Sequence, residues 1–271
     1  MVTTAPPPFV FHAGNRPLLL SIPHMGTYIP PDVASRMVPK ALQVHDTDWH
    51  LDQLYGFARD MGASILMATH SRYVIDLNRP PDGASLYPGQ NVTGLCPIDM
   101  FDQTPLYLPG QEPDEAEVQR RVSAHWCPYH DQLATELSRL KTEHGCATLW
   151  DAHSIRSVVP RFFEGRLPEL NLGTASGASC AAELADTLLE LAQAAPGCSA
   201  VLNGRFKGGH ITRHYGKPAL GVHAIQMEMA QSVYMDESWP FTYRPERAAL
   251  IQPTLQRMLE SLLTFAVQLR A

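Results

Sequence analysis

Two histidines stand where apolar stretches of the sequence end, and each could bind a metal ion. His24 follows "PLLLSIP" and His153 follows "ATLWDA". A single histidine in such a place is most often a hydrogen-bonded core residue. A catalytic zinc ion takes three protein ligands and leaves one position for water, and two histidines with one carboxylate form an established set. The pair therefore indicates metal binding only if the sequence also supplies a carboxylate.

The segment "VHDTDWH" (44–50) offers two such carboxylates, Asp46 and Asp48. Carboxylate and imidazole together suit Zn²⁺. The alternative is the start of a helix, in which Asp46 or Thr47 caps the first turn and Asp48 interacts with the helix dipole. The residue types leave both interpretations open, and they do not choose between the two aspartates.

Asp151 and Glu228 are acids within strongly apolar segments, where an unpaired charge is costly. Asp151 lies two residues before His153, so its carboxylate could accept the second ring N–H of a metal-binding histidine. Burial would raise the pKa of Glu228, in "VHAIQMEM" (222–229), and suit it to general-base work near neutral pH. The alternative for Glu228 is an ion pair with an arginine.

Cationic groups that could bind an anionic substrate occur first in "SRYVIDLNRPPD" (71–82), which contains Arg72, Asn78 and Arg79. Arginine can bind a carboxylate through two parallel hydrogen bonds. The alternative for Arg79 is a surface salt bridge with a neighbouring aspartate, which would contribute little to stability.

A second cationic segment, "NGRFKGGHITRHYG" (203–216), carries Arg205 and Arg213. Its glycines predict a mobile loop rather than a packed element. A metal ion, a general base and a cationic pocket together suit hydrolysis of an amide in a small anionic substrate, because the metal polarises the carbonyl and lowers the pKa of water. A non-catalytic binder of acidic metabolites, in which the acids balance the arginines, is the alternative from a different class.

These side chains need a framework, and the hydrophobic pattern predicts strands that alternate with helices. Short apolar runs and helical spacing predict strands over 17–23, 63–70, 146–152, 199–204 and 222–229, and helices over 50–61, 113–143, 178–195 and 245–269. Such alternation implies an α/β fold around a mostly parallel or mixed sheet, in which ligands bind beyond the carboxyl ends of strands. The segment 156–177 is broken by glycine and proline, and the long loop 83–112 is expected to be functional. With no internal repeat or clear linker, residues 1–271 are predicted to form one domain.

The composition excludes several classes of protein. The chain has 271 residues and a formal net charge of −6 without a Lys/Arg run, which argues against nucleic-acid binding. No apolar run is long enough for a membrane span, and the N-terminus lacks the layout of a secretory signal, so a cytoplasmic location is expected. The five cysteines are odd in number and form no C-x-x-C pair, which argues against disulfides or a cysteine-rich zinc site. The oligomeric state is left open.

Six long motifs resemble the N-formylglutamate deformylase (N-formylglutamate amidohydrolase) family, from about residue 8 to 255. They are "SIPHMGTYIP", "DTDWHLDQLY", "HSRYVIDLNRPPDGASLYPGQNVTGLCP", "LWDAHSIRSVVPRFFEGRLPELNLGT", "NGRFKGGHITRHYG" and "HAIQMEMAQSVYMDE". The resemblance implies hydrolysis of N-formyl-L-glutamate to L-glutamate and formate, within histidine degradation. It also implies kinship with aspartoacylase-like hydrolases and a zinc carboxypeptidase-like (phosphorylase/hydrolase-like) fold.

The resemblance also implies roles for individual residues. Relatives usually carry a glutamate three residues after the first metal histidine, but this chain has Thr27 there, so the middle ligand must come from elsewhere, and Asp48 is preferred to Asp46. The expected site has His24, Asp48 and His153 as ligands of a divalent metal, with zinc preferred; Glu228 as general base; Asp151 in support; Asn78 and Arg79 on a substrate carboxylate; and Arg72, Arg205 and Arg213 as further candidates.

Two chemical rivals stay open at this point. The same machinery could remove another acyl group from an amino acid. Two histidines and a carboxylate could also hold Fe²⁺ for redox chemistry, although nothing in the sequence indicates an oxygen-activating pocket.

Overall fold

A seven-stranded mixed sheet forms the centre of the protein in a computed structural model, which describes residues 5–86, 89 and 91–269. The strands are β1 (Phe9–His12), β2 (Leu18–Ile22), β3 (Ser64–Ala68), β4 (Ala147–Ile155), β5 (Leu170–Gly173), β6 (Ala200–Leu202) and β7 (Val222–Ala230). Their spatial order is β1-β3-β2-β4-β7-β5-β6. The strands β3, β2, β4 and β7 are parallel to one another, whereas β1 and β5 run antiparallel to their neighbours β3 and β7. The predicted α/β fold with a mostly parallel or mixed sheet is confirmed.

Helices cover both faces of this sheet. They are α1 (Pro31–Ala34), α2 (Leu51–Leu54), α3 (Glu115–Arg121), α4 (Cys127–His144), α5 (Ala182–Gln193), α6 (His210–Tyr215) and α7 (Pro245–Gln268). A π-helical turn, Val122–Trp126, joins α3 to α4 without a break, so the predicted helix over 113–143 is confirmed as one continuous rod. Asp114 caps its start by accepting a hydrogen bond from the backbone N–H of Glu117.

The two faces of β4 and β7 have different tasks. Trp150 and Ala152 of β4, with Ile225 and Met227 of β7, point into the larger core cluster, to which α5 and α7 contribute. The alternate residues point to the opposite face, where Leu149 packs in the cluster that includes α4. Towards the carboxyl ends of both strands this second face changes from apolar to polar side chains. The polar side chains of the two strands therefore lie next to one another.

Several predicted elements have different bounds in the structure. β4 continues to Ile155, so His153 lies inside the strand rather than after it. The predicted helix 50–61 is divided into α2 and a 3₁₀ turn, Gly56–Ala58, because the chain bends at Tyr55. The short strands β1 and β5 were not predicted, and β5 lies within the segment 156–177 that glycine and proline interrupt.

The prediction of a mobile loop over 203–216 is wrong in its second half. Residues 210–215 form α6, and its first three residues, His210, Ile211 and Thr212, are buried. Packing of this helix against β7 and β4 overrides the local glycine signal.

Within the described residues, no helix is both long and apolar enough to cross a bilayer. None of the five cysteines, all of which lie in the described part of the chain, forms a disulfide, and Cys146 and Cys180 are buried. In the loop 83–112, positions 87, 88 and 90 lie outside the described residues.

Candidate active site

Three side chains predicted to bind a metal ion converge in the structure. One potential ligand atom from each of His24, Asp48 and His153 lies within 4.8 Å of the others. Nδ1 of His24 lies 3.8 Å from Asp48 Oδ2, and Nδ1 of His153 lies 3.1 Å from the same oxygen. All three residues are at most 3% exposed. Two imidazole nitrogens and a carboxylate oxygen in this arrangement are a donor set that suits Zn²⁺ and related divalent ions.

The sheet and one loop bring these ligands together. His24 follows the end of β2, and His153 lies on β4, which pairs with β2 in parallel. The loop that carries Asp48 is fixed to both: the Asp48 N–H donates to the carbonyl of His24 at 3.0 Å, and Ser154 N–H donates to Asp48 Oδ2 at 3.1 Å. The middle ligand is therefore held in place by the backbone beside each histidine.

The second nitrogen of each histidine faces a different buried carboxylate. Nε2 of His24 lies 2.7 Å from Asp76 Oδ1, and Nε2 of His153 lies 3.1 Å from Asp151 Oδ1. For His24, an Nε2–H donated to Asp76 leaves the lone pair on Nδ1, the atom that faces Asp48. The expected supporting position of Asp151 agrees with this geometry, whereas Asp76 was not identified as a site residue. The sequence feature that could have identified Asp76 is its position two residues before Asn78, a predicted site residue.

Asp46 is occupied elsewhere. Its carboxylate accepts hydrogen bonds from the Tyr73 hydroxyl at 2.7 Å and the Phe101 backbone N–H at 2.8 Å, and it lies 3.3 Å from the Arg156 guanidinium. The helix-cap alternative for this segment does not occur either, because α2 begins at Leu51 and has no side-chain cap. The structure thus places Asp48, not Asp46, beside the histidines.

The charges around the centre are strongly coupled. Burial raises the pKa of Asp76, but the positive charges of His24, Arg79 and Arg72 outweigh it and hold that pKa well below its ordinary value. Burial has the opposite effect on a histidine and lowers the pKa of His153, but the negative charges of Asp151 and Asp48 outweigh burial and hold that pKa well above its ordinary value. The centre is therefore a buried network of carboxylates whose negative charge attracts a cation.

Glu228 lies on β7 directly opposite His153 in the β4–β7 register. It is 8% exposed, and within the described residues it forms no ion pair with an arginine and accepts no side-chain hydrogen bond. Burial, with a contribution from Asp48, raises the pKa of Glu228 to about 8 against the opposing effect of His153. A carboxylate with this proton affinity beside a metal centre can serve as a general base.

A cavity opens over these groups. His24, His153 and Glu228 line it, together with Arg79 and Arg205. Arg79 donates through Nε to the carbonyl of Thr93, and Arg205 donates through Nε to the carbonyl of Phe162. Both guanidinium groups are thus held by the backbone of loops around the cavity.

The remaining predicted substrate contacts occupy different positions. Arg72 lines the cavity but donates to Asp76 at 2.9 Å and lies 3.5 Å from Asp48, so its charge is directed to the metal centre. Arg213 is exposed on α6 and does not line the cavity; its Nε donates to the carbonyl of Gly208.

Asn78 lies on the cavity wall with both ends of its amide engaged. Its Nδ2 lies 2.9 Å from His153 Nε2 and 3.4 Å from Asp151 Oδ2, while its Oδ1 accepts a hydrogen bond from the Ile211 N–H at 2.8 Å. Thr212 adds a hydroxyl donated to Asp151 Oδ2 at 3.1 Å. The first turn of α6 is therefore part of the framework that holds His153, a role that the loop prediction missed.

Comparison with known proteins places this geometry in a family. Residues 16–235 match the family model described as N-formylglutamate amidohydrolase. The chain belongs to the N-formylglutamate amidohydrolase family. It is therefore a hydrolase that acts on an amide, as the sequence predicted.

Two curated relatives cover nearly the whole chain of this amidohydrolase. It is 53% identical over 255 residues to the N-formylglutamate deformylase of Pseudomonas aeruginosa, an alignment that covers 94% of this chain and 96% of the relative. It is 51% identical over 258 residues to the N-formylglutamate deformylase of Pseudomonas putida, covering 95% and 96%.

Two solved structures have the same fold. The N-formylglutamate amidohydrolase from Ralstonia eutropha JMP134 superposes with a TM-score of 0.81 at 25% identity, covering 96% of this chain and 98% of that one. A gene product from Agrobacterium tumefaciens superposes with a TM-score of 0.71 at 21% identity, covering 96% of each chain.

Proposed function

We propose that this amidohydrolase hydrolyses N-formyl-L-glutamate to L-glutamate and formate with a divalent metal ion, preferably zinc, held by His24, Asp48 and His153. The observation that carries the proposal is the convergence of two Nδ1 atoms and one carboxylate beside Glu228 in one cavity. The names of the curated relatives support the choice of substrate.

The chain's own residues divide the work of the reaction. A divalent ion bound by the three ligands supplies Lewis-acid polarisation of the formyl carbonyl and a lowered pKa for water. Glu228 takes a proton from the water whose oxygen bonds to the formyl carbon. It then delivers that proton to the departing nitrogen as the carbon–nitrogen bond breaks.

The carboxylates of Asp76 and Asp151 orient the rings of the two histidine ligands. Asp76 and Asp151 fix the Nε2 atoms of His24 and His153, so that each ring presents Nδ1 to the ion. Arg72 offsets the negative charge of Asp76 and Asp48 and keeps both carboxylates ionised. Asp151 thus acts through His153 rather than on the substrate.

Arg79 and Arg205 are the proposed cationic contacts for the two carboxylates of the substrate, because both line the cavity. Asn78 lies beside them on the same wall and is a further proposed contact for a substrate carboxylate, as the family resemblance implies. Arg213 lies outside this cavity and is not included in the proposed site.

We extend the proposal to the cellular setting that the resemblance implies. The reaction would release glutamate and formate in the breakdown of histidine, in the cytoplasm. Growth of a deletion strain on histidine as the nitrogen source, with and without the intact gene, measures this part separately from the chemistry.

The test of the proposed function combines elemental analysis with an assay for released formate. Wild-type enzyme should carry one divalent ion per chain and release formate from N-formylglutamate faster than it releases acetate or succinate from the acetyl and succinyl analogues. Equal or better rates on another acyl group would assign a different substrate, and stoichiometric binding of acidic metabolites without formate release would indicate a binding protein.

His153→Ala should abolish both bound metal and turnover, since a tetrahedral site that loses one of three protein ligands binds its ion poorly. His45→Ala is the matched control, because His45 lies in the histidine-containing segment but contacts Gln43 and the ring of Phe241 instead of the centre. A His153→Ala enzyme with full metal content and full rate would refute the ligand assignment.

A further inference from the structure

Gln226 is a buried polar residue in the cavity wall that none of the roles above uses. It lies two residues before Glu228 on β7, so both side chains point to the same face of the sheet. It lines the cavity although it is only 3% exposed. An amide group buried to this degree normally satisfies its hydrogen bonds, so its unused atoms indicate where a ligand binds.

The orientation of this amide follows from a single backbone contact. The N–H of Gly209 donates to Gln226 Oε1 at 2.8 Å, and only the oxygen of an amide can accept that bond. The NH₂ group is consequently turned away from Gly209. In the described part of the chain no group accepts a hydrogen bond from Nε2.

Gly209 and Asn78 lock this arrangement. A Cβ on Gly209 would lie 2.3 Å from Asn78 Nδ2, so the backbone at Gly209 and the side chain of Asn78 are in close contact. Asn78 is itself held by the Ile211 N–H at 2.8 Å. Gln226 is therefore anchored by a rigid neighbour, and its NH₂ group is a preorganised donor.

The position of Gln226 along β7 selects the part of the substrate that it can reach. The metal centre and Glu228 fix the level of the scissile amide, and two residues of a parallel strand span about 6.6 Å. Gln226 therefore lies away from the formyl group and from the α-carboxylate, which is attached next to the amide nitrogen. Gln226 pairs with Asp151, one step deeper in the sheet than Glu228, and the two methylene groups of a glutamyl side chain give its terminal carboxylate the reach to this level.

We propose that Gln226 determines specificity for the side chain of the substrate by donating Nε2–H to an oxygen of its terminal carboxylate. The inference rests on the proposed function and deepens it, because it names the residue that recognises the distal end of N-formylglutamate. Arg79 and Arg205 supply the positive charge, and Gln226 supplies a directed hydrogen bond.

The rival role for Gln226 is structural: its Oε1 would hold the start of α6 against β7 and nothing more. The two roles differ in what they predict for substrates that lack the terminal oxygens. Loss of a structural contact slows hydrolysis of every substrate by the same factor, whereas loss of a substrate contact slows only the substrate that makes it.

The experiment is a cycle of two enzymes and two substrates. Wild type and Gln226→Met are compared on N-formyl-L-glutamate and on N-formyl-L-norleucine, whose side chain has similar length but no oxygen. The variant should lose at least about tenfold in kcat/KM on the glutamyl substrate, mainly through KM, because a hydrogen bond to a charged group is lost. On the norleucyl substrate the loss should stay below about threefold.

Equal losses on the two substrates, or no loss on either, would overturn the inference. Gln226→Glu is the second variant: it keeps an oxygen that can accept from Gly209 and replaces the NH₂ donor by an acid. It should reduce the preference for N-formylglutamate over N-formylglutamine, and an unchanged preference would also count against the role of Gln226. Gln252→Met, on α7 with its Nε2 bonded to the carbonyl of Leu54, should leave both measurements unchanged.

Failure of the proposed function is recognised separately. If the wild-type enzyme releases no formate from N-formylglutamate, the proposed reaction is wrong. The same cycle is then read from dissociation constants of the two compounds by calorimetry, and a coupling of tenfold would still support Gln226 as the contact for the distal carboxylate.

Discussion

The two nitrogens of each candidate metal histidine have separate tasks. Nε2 of His24 and Nε2 of His153 face the buried carboxylates of Asp76 and Asp151, and both Nδ1 atoms face Asp48. An imidazole that binds a cation through one nitrogen keeps a fixed ring orientation when its other nitrogen donates to a partner of this kind. Each outer carboxylate is consequently expected to contribute to metal affinity without touching the ion.

Asp76→Asn tests this contribution. The variant keeps the shape of the side chain but loses the negative charge that faces Nε2 of His24, so we expect a 10- to 100-fold weaker metal affinity. Competition with a chromophoric chelator measures the dissociation constant. Asp82→Asn, an exposed residue that accepts a bond from the Ala84 N–H, is the control in the same segment. Equal affinities of the two variants would show that Asp76 does not support the site.

Glu228→Gln separates proton transfer from metal binding. The variant should retain its metal ion, since Glu228 is not among the ligands, and should lose about 10²- to 10⁴-fold in kcat, the usual contribution of a general base. Because burial raises the pKa of Glu228, wild-type activity should rise with pH while this carboxyl loses its proton. The variant should lack that rise, and turnover at the wild-type rate would assign the base to another residue.

At the scale of elements, the long periodic segments could be predicted from the sequence and the short ones could not. Strands β2, β3, β4 and β7 and helices α4, α5 and α7 each carry a hydrophobic pattern long enough to identify them. The order of the strands places His24, His153 and Glu228 at the same end of neighbouring strands. The polar residues at the ends of these apolar runs marked His24, His153 and Glu228 as candidates, whereas the preference for Asp48 over Asp46 came from the family resemblance.

The elements that were missed depend on tertiary contacts. β5 is four residues long and pairs on both sides, and α6 begins after two glycines and is stabilised by its packing against Asn78 and Asp151. Local propensity is weak for segments of this length. Gln226 was not predicted as a site residue for a related reason. Only the tertiary contact with the Gly209 N–H shows how its side-chain amide is oriented.

Gly209→Ala tests the contact between α6 and the cavity wall. The added methyl would lie 2.3 Å from Asn78 Nδ2, so the helix or the Asn78 side chain must move. We expect a loss of about 1–3 kcal/mol in the free energy of unfolding and a lower kcat/KM. Denaturant unfolding followed by circular dichroism measures the first quantity.

Gly56→Ala is the matched control, because a Cβ at Gly56 meets nothing within 4 Å. This substitution should leave activity unchanged and raise stability by about 0.5 kcal/mol, since alanine reduces the entropy of the unfolded chain. If both variants retained wild-type stability and activity, the start of α6 would have no part in positioning Asn78.

At the scale of the whole molecule, the candidate metal centre connects distant parts of the chain. Its ligands come from the end of β2, the loop before α2 and the strand β4, and their supporting acids come from the segment before α3 and from β4. A ligand that binds only the folded state stabilises it by an amount that grows with the logarithm of the ratio of free ligand to its dissociation constant. The ion is therefore expected to stabilise the entire domain.

Zinc added to protein that has been treated with a chelator should raise the melting temperature by roughly 10 °C, because saturation a thousandfold above the dissociation constant contributes about 4 kcal/mol. Differential scanning calorimetry measures the shift. His153→Ala should show no shift under the same conditions, and an equal shift in both proteins would locate the stabilising ion at some other place.

Core and site residues alternate along β4 and β7, and this alternation affects the stability of misregistered strand pairs. Leu149, Asp151 and His153 alternate with Trp150 and Ala152, which point into the larger core. A shift of one residue in the pairing of these strands would turn Asp151 into the apolar core and the Trp150 ring towards the cavity. The shifted pairing is thereby less stable than the native one, so the same register that fills the core also places Asp151, His153 and Glu228 in the site.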